Sequence, residues 1–140
     1  MELESFSKNF PGLGEAVRYM RWFIDAMNVI GSRPDGWWRD REGAVRWLVE
    51  EVRAWTESEP VTVVLDTGPD DLLGTVGPVT VVRASRRGRN AADDEIMGLV
   101  ETEPDAVVVT SDVELATRVR ALGARVEGAG SFRRRLESSP

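Results

Sequence analysis

Three apolar runs in this chain each end in a carboxylate. Trp22-Phe23-Ile24 runs into Asp25, Val61–Leu65 runs into Asp66, and residues 106–111 run into Asp112. One such pairing has an ordinary explanation as a turn or a helix cap. Three in 140 residues imply a shared acidic edge where the strands end. Asp93 and Asp94 stand at the start of a helical stretch and can face that edge from one side, and Glu114 lies one turn beyond Asp112. Crowded carboxylates repel one another unless protons or a cation neutralise them. The economical neutraliser is Mg²⁺ or Mn²⁺, which take oxygen ligands and retain waters. Such an ion activates water, and a pair stabilises both oxygens of a phosphoryl displacement. The Asn28 amide, three residues after Asp25, can orient a carboxylate or a phosphate oxygen. Each group also has a structural role open to it: Asp66 as a turn cap, Asp93 as a favourable charge at a helix N-terminus, Glu114 as the partner of Ser111 in a capping box. Asp25 and Asp112, on strands expected to be central, are harder to explain that way.

Composition narrows the chemistry further. The chain has no His and no Cys, which removes Ser–His and Cys–His nucleophiles, imidazole or thiolate zinc sites, and disulfides. Lys8 and Tyr19 are the sole Lys and Tyr, both away from the strand ends. Any proton transfer therefore falls to carboxylates or metal-bound water. A net charge of −6 gives no global attraction to nucleic acid, yet arginines cluster at Arg83, Arg86, Arg87 and Arg89 and again at Arg133, Arg134 and Arg135. Arg suits bidentate phosphate contact. A GC-rich coding sequence explains the scarcity of Lys better than it explains this clustering. No apolar run is long enough to span a membrane and the N-terminus lacks a signal-peptide pattern, so a cytoplasmic protein is expected.

The elements that position these groups read as alternating strands and helices, hence a mostly parallel sheet with helices on both faces. Trp22–Ile24 lacks polar alternation, as in a strand buried on both faces. A turn at 31–36 leads to Trp37 and Trp38, which either pack on the next helix or offer a stacking platform for unpaired bases. Val45, Leu48, Val52 and Trp55 predict a helix over 40–57, capped by Asp40. Strands are expected at 61–65 and 79–82, with a basic loop at 83–89. An Asn90-capped helix follows over 90–101, then a strand at 106–110. Ser111 and Glu114 predict a capping box opening a helix with Leu115, Val119 and Leu122 inward, closed by Gly123. A last short strand is expected at 124–126. Residues 1–19 show no clear period and are set apart as an N-terminal extension, with the domain over 20–136 and a tail at 137–140.

Asp25-Ala26-Met27-Asn28, Ala92-Asp93 at a helix start and Thr110-Ser111-Asp112 after an apolar strand together resemble the NYN domains of the PIN-like nuclease superfamily, most nearly the YacP-like bacterial branch. The resemblance covers about residues 20–136. It implies a three-layer α/β/α sandwich with a mostly parallel five-stranded sheet, and a divalent-metal site that cleaves RNA. By motif, Asp25, Asp93 and Asp112 match the family's acidic ligands, Asn28 its strand-one Asn, and Asp66 a strand-two acid. The family's further acid just after Ser-Asp is replaced by Glu114 as the nearest residue, which leaves the fourth ligand open.

The leading expectation is a Mg²⁺- or Mn²⁺-dependent ribonuclease. Asp25, Asp93 and Asp112 hold metal, with Asp66, Asp94 and Glu114 as further candidates. Asn28 positions, and Arg86, Arg87 and Arg89 contact RNA phosphates, with Trp37 and Trp38 as further candidates for RNA contact. The alternative is a non-catalytic RNA-binding or regulatory module on the same fold. A phosphatase with a strand-one Asp nucleophile fits poorly, because Asp25-Ala26-Met27 lacks the second Asp of an Asp-x-Asp pair. Exposed Trp and Arg near the edge would permit a homodimer without demanding one.

Overall fold

The computed structural model describes residues 20–85 and 90–138. Strand β1 (Arg21–Asp25) passes directly into helix α1 (Ala26–Gly31); a 3-10 turn at Trp37–Arg39 then leads into α2 (Arg41–Trp55) and β2 (Val61–Leu65). A hairpin of β3 (Gly74–Val76) and β4 (Val79–Arg83) precedes α3 (Ala91–Thr102). The chain continues as β5 (Ala106–Val109), α4 (Val113–Ala121), β6 (Arg125–Glu127) and α5 (Ala129–Glu137). Among the described residues the sheet has six strands in the order β3-β4-β2-β1-β5-β6. All pairings are parallel except β3 with β4.

The alternation of side chains along β1 divides the core in two. Trp22 and Ile24 face one layer with Val45, Leu48, Val52 and Phe132, from α2 and α5. Phe23 faces the other with Ile96, Val100, Leu115 and Val119, from α3 and α4. The three-layer sandwich expected from the sequence is therefore present, with β1 paired on both sides and central. Parallel strands with both faces covered carry continuous β-branched runs, which is why Val61–Leu65 and Ala106–Val109 were legible as strands.

The sheet has one strand more than the five expected. All three residues of β3 are exposed, so that strand has no apolar signature; it pairs with β4 through a tight turn at Gly77, whose φ is +58°. Helix α2 starts where the sequence placed it. The Asp40 carboxylate accepts from Gly43 N at 2.9 Å, and a Cβ on Gly43 would collide with that carboxylate. Gly123 follows α4 with φ +104°, the left-handed conformation of a helix terminator. Leu122, expected inward, is instead exposed, because α4 has already ended there.

Two helices were not expected. Asp25 both ends β1 and caps α1, so the chain turns from sheet to helix without a connecting loop. The basic C-terminal stretch is α5, whose Phe132 and Leu136, four residues apart, are buried in the same core layer, Phe132 meeting the rings of Trp22 and Trp55. The proposed extension at 1–19 lies outside the described residues. No helix among the described residues is long and apolar enough to cross a membrane.

Candidate active site

The carboxyl ends of β1 and β5 are adjacent, and a net of side-chain hydrogen bonds joins them. Asp25, 3% exposed, receives two hydrogen bonds on Oδ2: from Asn28 Nδ2 at 2.7 Å and from Thr110 Oγ1 at 3.1 Å. The α-helical turn of α1 brings Asn28 back over Asp25, and its Oδ1 accepts from Ser111 N at 3.0 Å across the sheet. Thr110 Oγ1 also accepts from Asp112 N at 3.1 Å. Asp112 in turn caps α4, its Oδ1 accepting from Leu115 N at 3.1 Å.

This geometry corrects the expected capping box. Asp112, not Ser111, is the N-cap of α4, so Glu114 falls in the first turn rather than at the position that closes such a box. Ser111 Oγ instead accepts from Ala129 N at 2.9 Å, tying the start of α5 to the site. Asn90 likewise stands at the N-cap of α3 without a side-chain cap bond.

Burial and neighbouring charge set the protonation of the site. Desolvation pushes the Asp25 carboxyl up to about 6, assisted by the charges of Asp93 and Asp66 and opposed by the hydrogen bonds from Thr110 and Asn28. Asp93, half-buried in the first turn of α3, is also raised. Burial is the main cause, Asp112, Asp94 and Glu114 add to it, and the Arg118 guanidinium works against it. All six carboxylates singled out in the sequence thus feel one another through Asp25 or Asp93. They do not form a tight shell: among the described residues no three acidic side chains converge closely enough to hold a metal ion. The donor set is all oxygen, which suits Mg²⁺ or Mn²⁺ and no softer ion. Asp66 also fills the turn role open to it, its Oδ1 accepting from Thr67 N at 3.0 Å.

A raised carboxyl stabilises the fold at low pH. Between the ordinary carboxylate value and about 6, the folded chain binds the proton at Asp25 and the unfolded chain does not. Stability is therefore expected to fall as pH rises from 5 to 7.5 with chelator present, by about 1–1.5 kcal/mol from Asp25, and Asp93 adds in the same direction. Urea unfolding across that range checks it: Asp25→Asn should flatten the dependence, and an unchanged slope in that variant would exclude Asp25 as the titrating group.

The RNA-contact candidates separate. Arg86, Arg87 and Arg89 lie outside the described residues. Arg83 is committed to Asp70 at 2.6 Å and to the Gly68 carbonyl at 3.1 Å. Trp37 packs against the core beside Gly31, the structural alternative considered for it. Trp38 is 57% exposed, edge-on to Trp37, and keeps a face available for stacking. Thr110 stood out in the sequence only within the Thr-Ser-Asp motif, Ser111 there and as a helix cap, and Arg118 not at all. Two hydroxyl residues between a buried strand and an Asp were the signal for the first pair; Arg118, four residues after Glu114 on one helix face, had only that spacing.

No protein-family model matches the chain, and no curated protein matches it in sequence. Solved structures do. A point-mutant crystal structure of Rae1 (YacP) from Bacillus subtilis is 20% identical, with a TM-score of 0.65 over 85% of this chain and 76% of that one. A second crystal structure of Rae1 (YacP) is 22% identical, with a TM-score of 0.62 over 84% of this chain and 73% of that one. The YacP likeness first read from Asp25, Asn28, Asp93 and Asp112 is thus matched in three dimensions, and the chain carries the α/β fold of the YacP structures.

Proposed function

We propose that this chain is a divalent-metal-dependent ribonuclease of the cytoplasm, hydrolysing RNA phosphodiester bonds at the carboxyl edge of the sheet. The observation that carries the reading is Asp25: a carboxylate 3% exposed, clamped by Asn28 and Thr110, with Asp93 and Asp66 near enough to raise it further. A structural carboxylate gains nothing from that arrangement, since burial beside like charge is costly. A cation site gains from it directly. The YacP fold and the NYN-like motifs support the same reading.

Asp25, Asp93 and Asp112 would hold Mg²⁺ or Mn²⁺, with Asp66, Asp94 and Glu114 enriching the negative field. Mg²⁺ commonly binds through one or two carboxylates and keeps waters for the rest of its shell, so a loose set of acids suits it. Bound there, it would supply an activated water and neutralise charge on the phosphoryl oxygens. Asn28 holds the Asp25 carboxylate in one orientation, and Thr110 couples that orientation to Asp112 through a single hydroxyl. Arg86, Arg87 and Arg89 would contact phosphates and Trp38 an unpaired base. Glu114 is exposed in the first turn of α4, which favours a second reading, RNA binding with weak or no cleavage.

Titration of Mn²⁺ and Mg²⁺ into the purified protein at pH 7.5, followed by thermal shift and cleavage of labelled single-stranded RNA, tests the proposal. Millimolar cation is expected to raise the melting temperature, by about 3 kcal/mol of stability at a hundredfold excess over Kd, and to switch cleavage on. Salt-sensitive RNA binding with no cation response would favour the non-catalytic module. Cleavage unaffected by chelator would exclude the metal site.

A further inference from the structure

Beside the acidic edge lies a cavity of about 340 Å³ between α1, the first turns of α2 and the loop after β2. Its volume is within the usual range for a small-molecule site. Met27, Val45 and Pro69 supply an apolar lining, and Asp66, whose charge acts on Asp25, lines it too, so the cavity borders the proposed cleavage site. Its polar lining consists of Arg41, Glu42, Asp66 and Thr67. Glu42 is held by Arg46 through Oε1 at 3.1 Å, and the Arg41 guanidinium lies 5.4 Å from the Trp37 ring centroid. Trp38, edge-on to Trp37, has an exposed ring.

Resting on the ribonuclease reading above, we propose that this cavity is a nucleobase subsite selecting guanine in the RNA strand next to the cleaved phosphate. Two carboxylates against one guanidinium repel a phosphate, so the backbone stays outside and a neutral base enters. The apolar lining accepts its face. Among the four bases only guanine presents two adjacent donors, N1–H and N2–H₂, beside an acceptor, O6, on its pairing edge. A carboxylate takes the two donors together and a guanidinium takes O6. Uracil offers one donor flanked by acceptors and leaves the carboxylates unmatched. Trp38 would stack the following base.

Guanosine 5′-monophosphate and uridine 5′-monophosphate, titrated into the full chain in chelator-containing buffer, test the subsite without any cleavage step. Saturable amide shifts at Met27, Thr67 and Gly68 are expected, with the guanine nucleotide bound about tenfold more tightly than the uracil one. Thr67→Phe, at an exposed position, should block the mouth and abolish the shifts; Glu42→Gln should erase the guanine preference while the cavity stays open. Equal affinity for the two nucleotides, or shifts that persist in Thr67→Phe, overturns the subsite. The two readings fail separately: RNA cleavage with no base preference removes the subsite alone. Guanine binding in a chain that never cleaves removes the catalytic reading alone and leaves a guanine-selective RNA-binding cavity.

Discussion

Replacing Asp25 with Asn is expected to lower RNA cleavage by about 10³-fold while leaving the protein folded and slightly more stable at pH 7.5. The activity loss follows from taking the central negative charge out of an oxygen-ligand site while keeping its shape. The stability gain is the sharper claim, because two opposed effects decide its sign. Ionised Asp25, raised to about 6 by burial, costs the fold about 3 kcal/mol at neutral pH relative to an ordinary carboxylate. The amide removes that cost and still offers one oxygen to Asn28 and Thr110. It also introduces an N–H₂ group where the carboxylate donated nothing, worth about 1–2 kcal/mol of lost hydrogen bonding. Relief of charge burial wins, leaving a gain of about 1 kcal/mol, read by urea unfolding with chelator present. Stabilisation of the variant together with loss of turnover is the signature of a residue kept for function at the expense of the fold. A full-rate Asp25→Asn enzyme would sink the site, and a destabilised, inactive one would mark Asp25 as a structural group.

The site was legible because its strands are buried on both faces. Val61–Leu65 and Ala106–Val109 are covered on both faces, so each shows as a Val-rich run with little polar alternation, and the first carboxylate after it marks the edge. Asp25 and Asp112 could be placed at the sheet edge by that rule alone. Asp93 needed the helix start at Ala91 as well, and Asp66 caps its own turn while adding charge at Asp25. What sequence reasoning could not reach was the pairing of groups distant along the chain. Thr110 to Asp25 spans 85 residues, and Ser111 to Asn28 spans 83. No local pattern encodes either. The capping box at Ser111 failed for the same reason, since the Ser111 hydroxyl is taken by Ala129, eighteen residues on. Strand β3 escaped because an exposed edge strand buries nothing and leaves no apolar period.

The other large effect is expected where the sequence looked least structured. No element was expected at 129–137, and the three arginines at 133–135 suggested phosphate contact. In the fold two of them hold the helix down: Arg133 donates to Ser32 Oγ at 3.1 Å, and Arg135 pairs with Glu127 at 2.7 Å. Phe132 is the anchor. It is fully buried, with its ring centroid 5.8 Å from Trp22 and 5.1 Å from Trp55, which themselves meet edge to face at 5.1 Å. Phe132→Ala opens a cavity between two indoles that are fixed by a central strand and a long helix and cannot close over it. The expected cost is about 3–5 kcal/mol, a large share of the roughly 5–15 kcal/mol that holds such a domain together. At this chain length that corresponds to a fall of roughly 10–20 °C in melting temperature. Phe132→Leu, which keeps most of the volume, should cost less than half as much. The loss also reaches the acidic edge, since α5 begins at Ala129 on the Ser111 hydroxyl and Ser111 N holds Asn28 in place. Hydrogen exchange should therefore show Ser111 and Ala129 losing protection in Phe132→Ala well below its melting point. Unchanged protection there would mean that the helix stabilises the core without bracing the site.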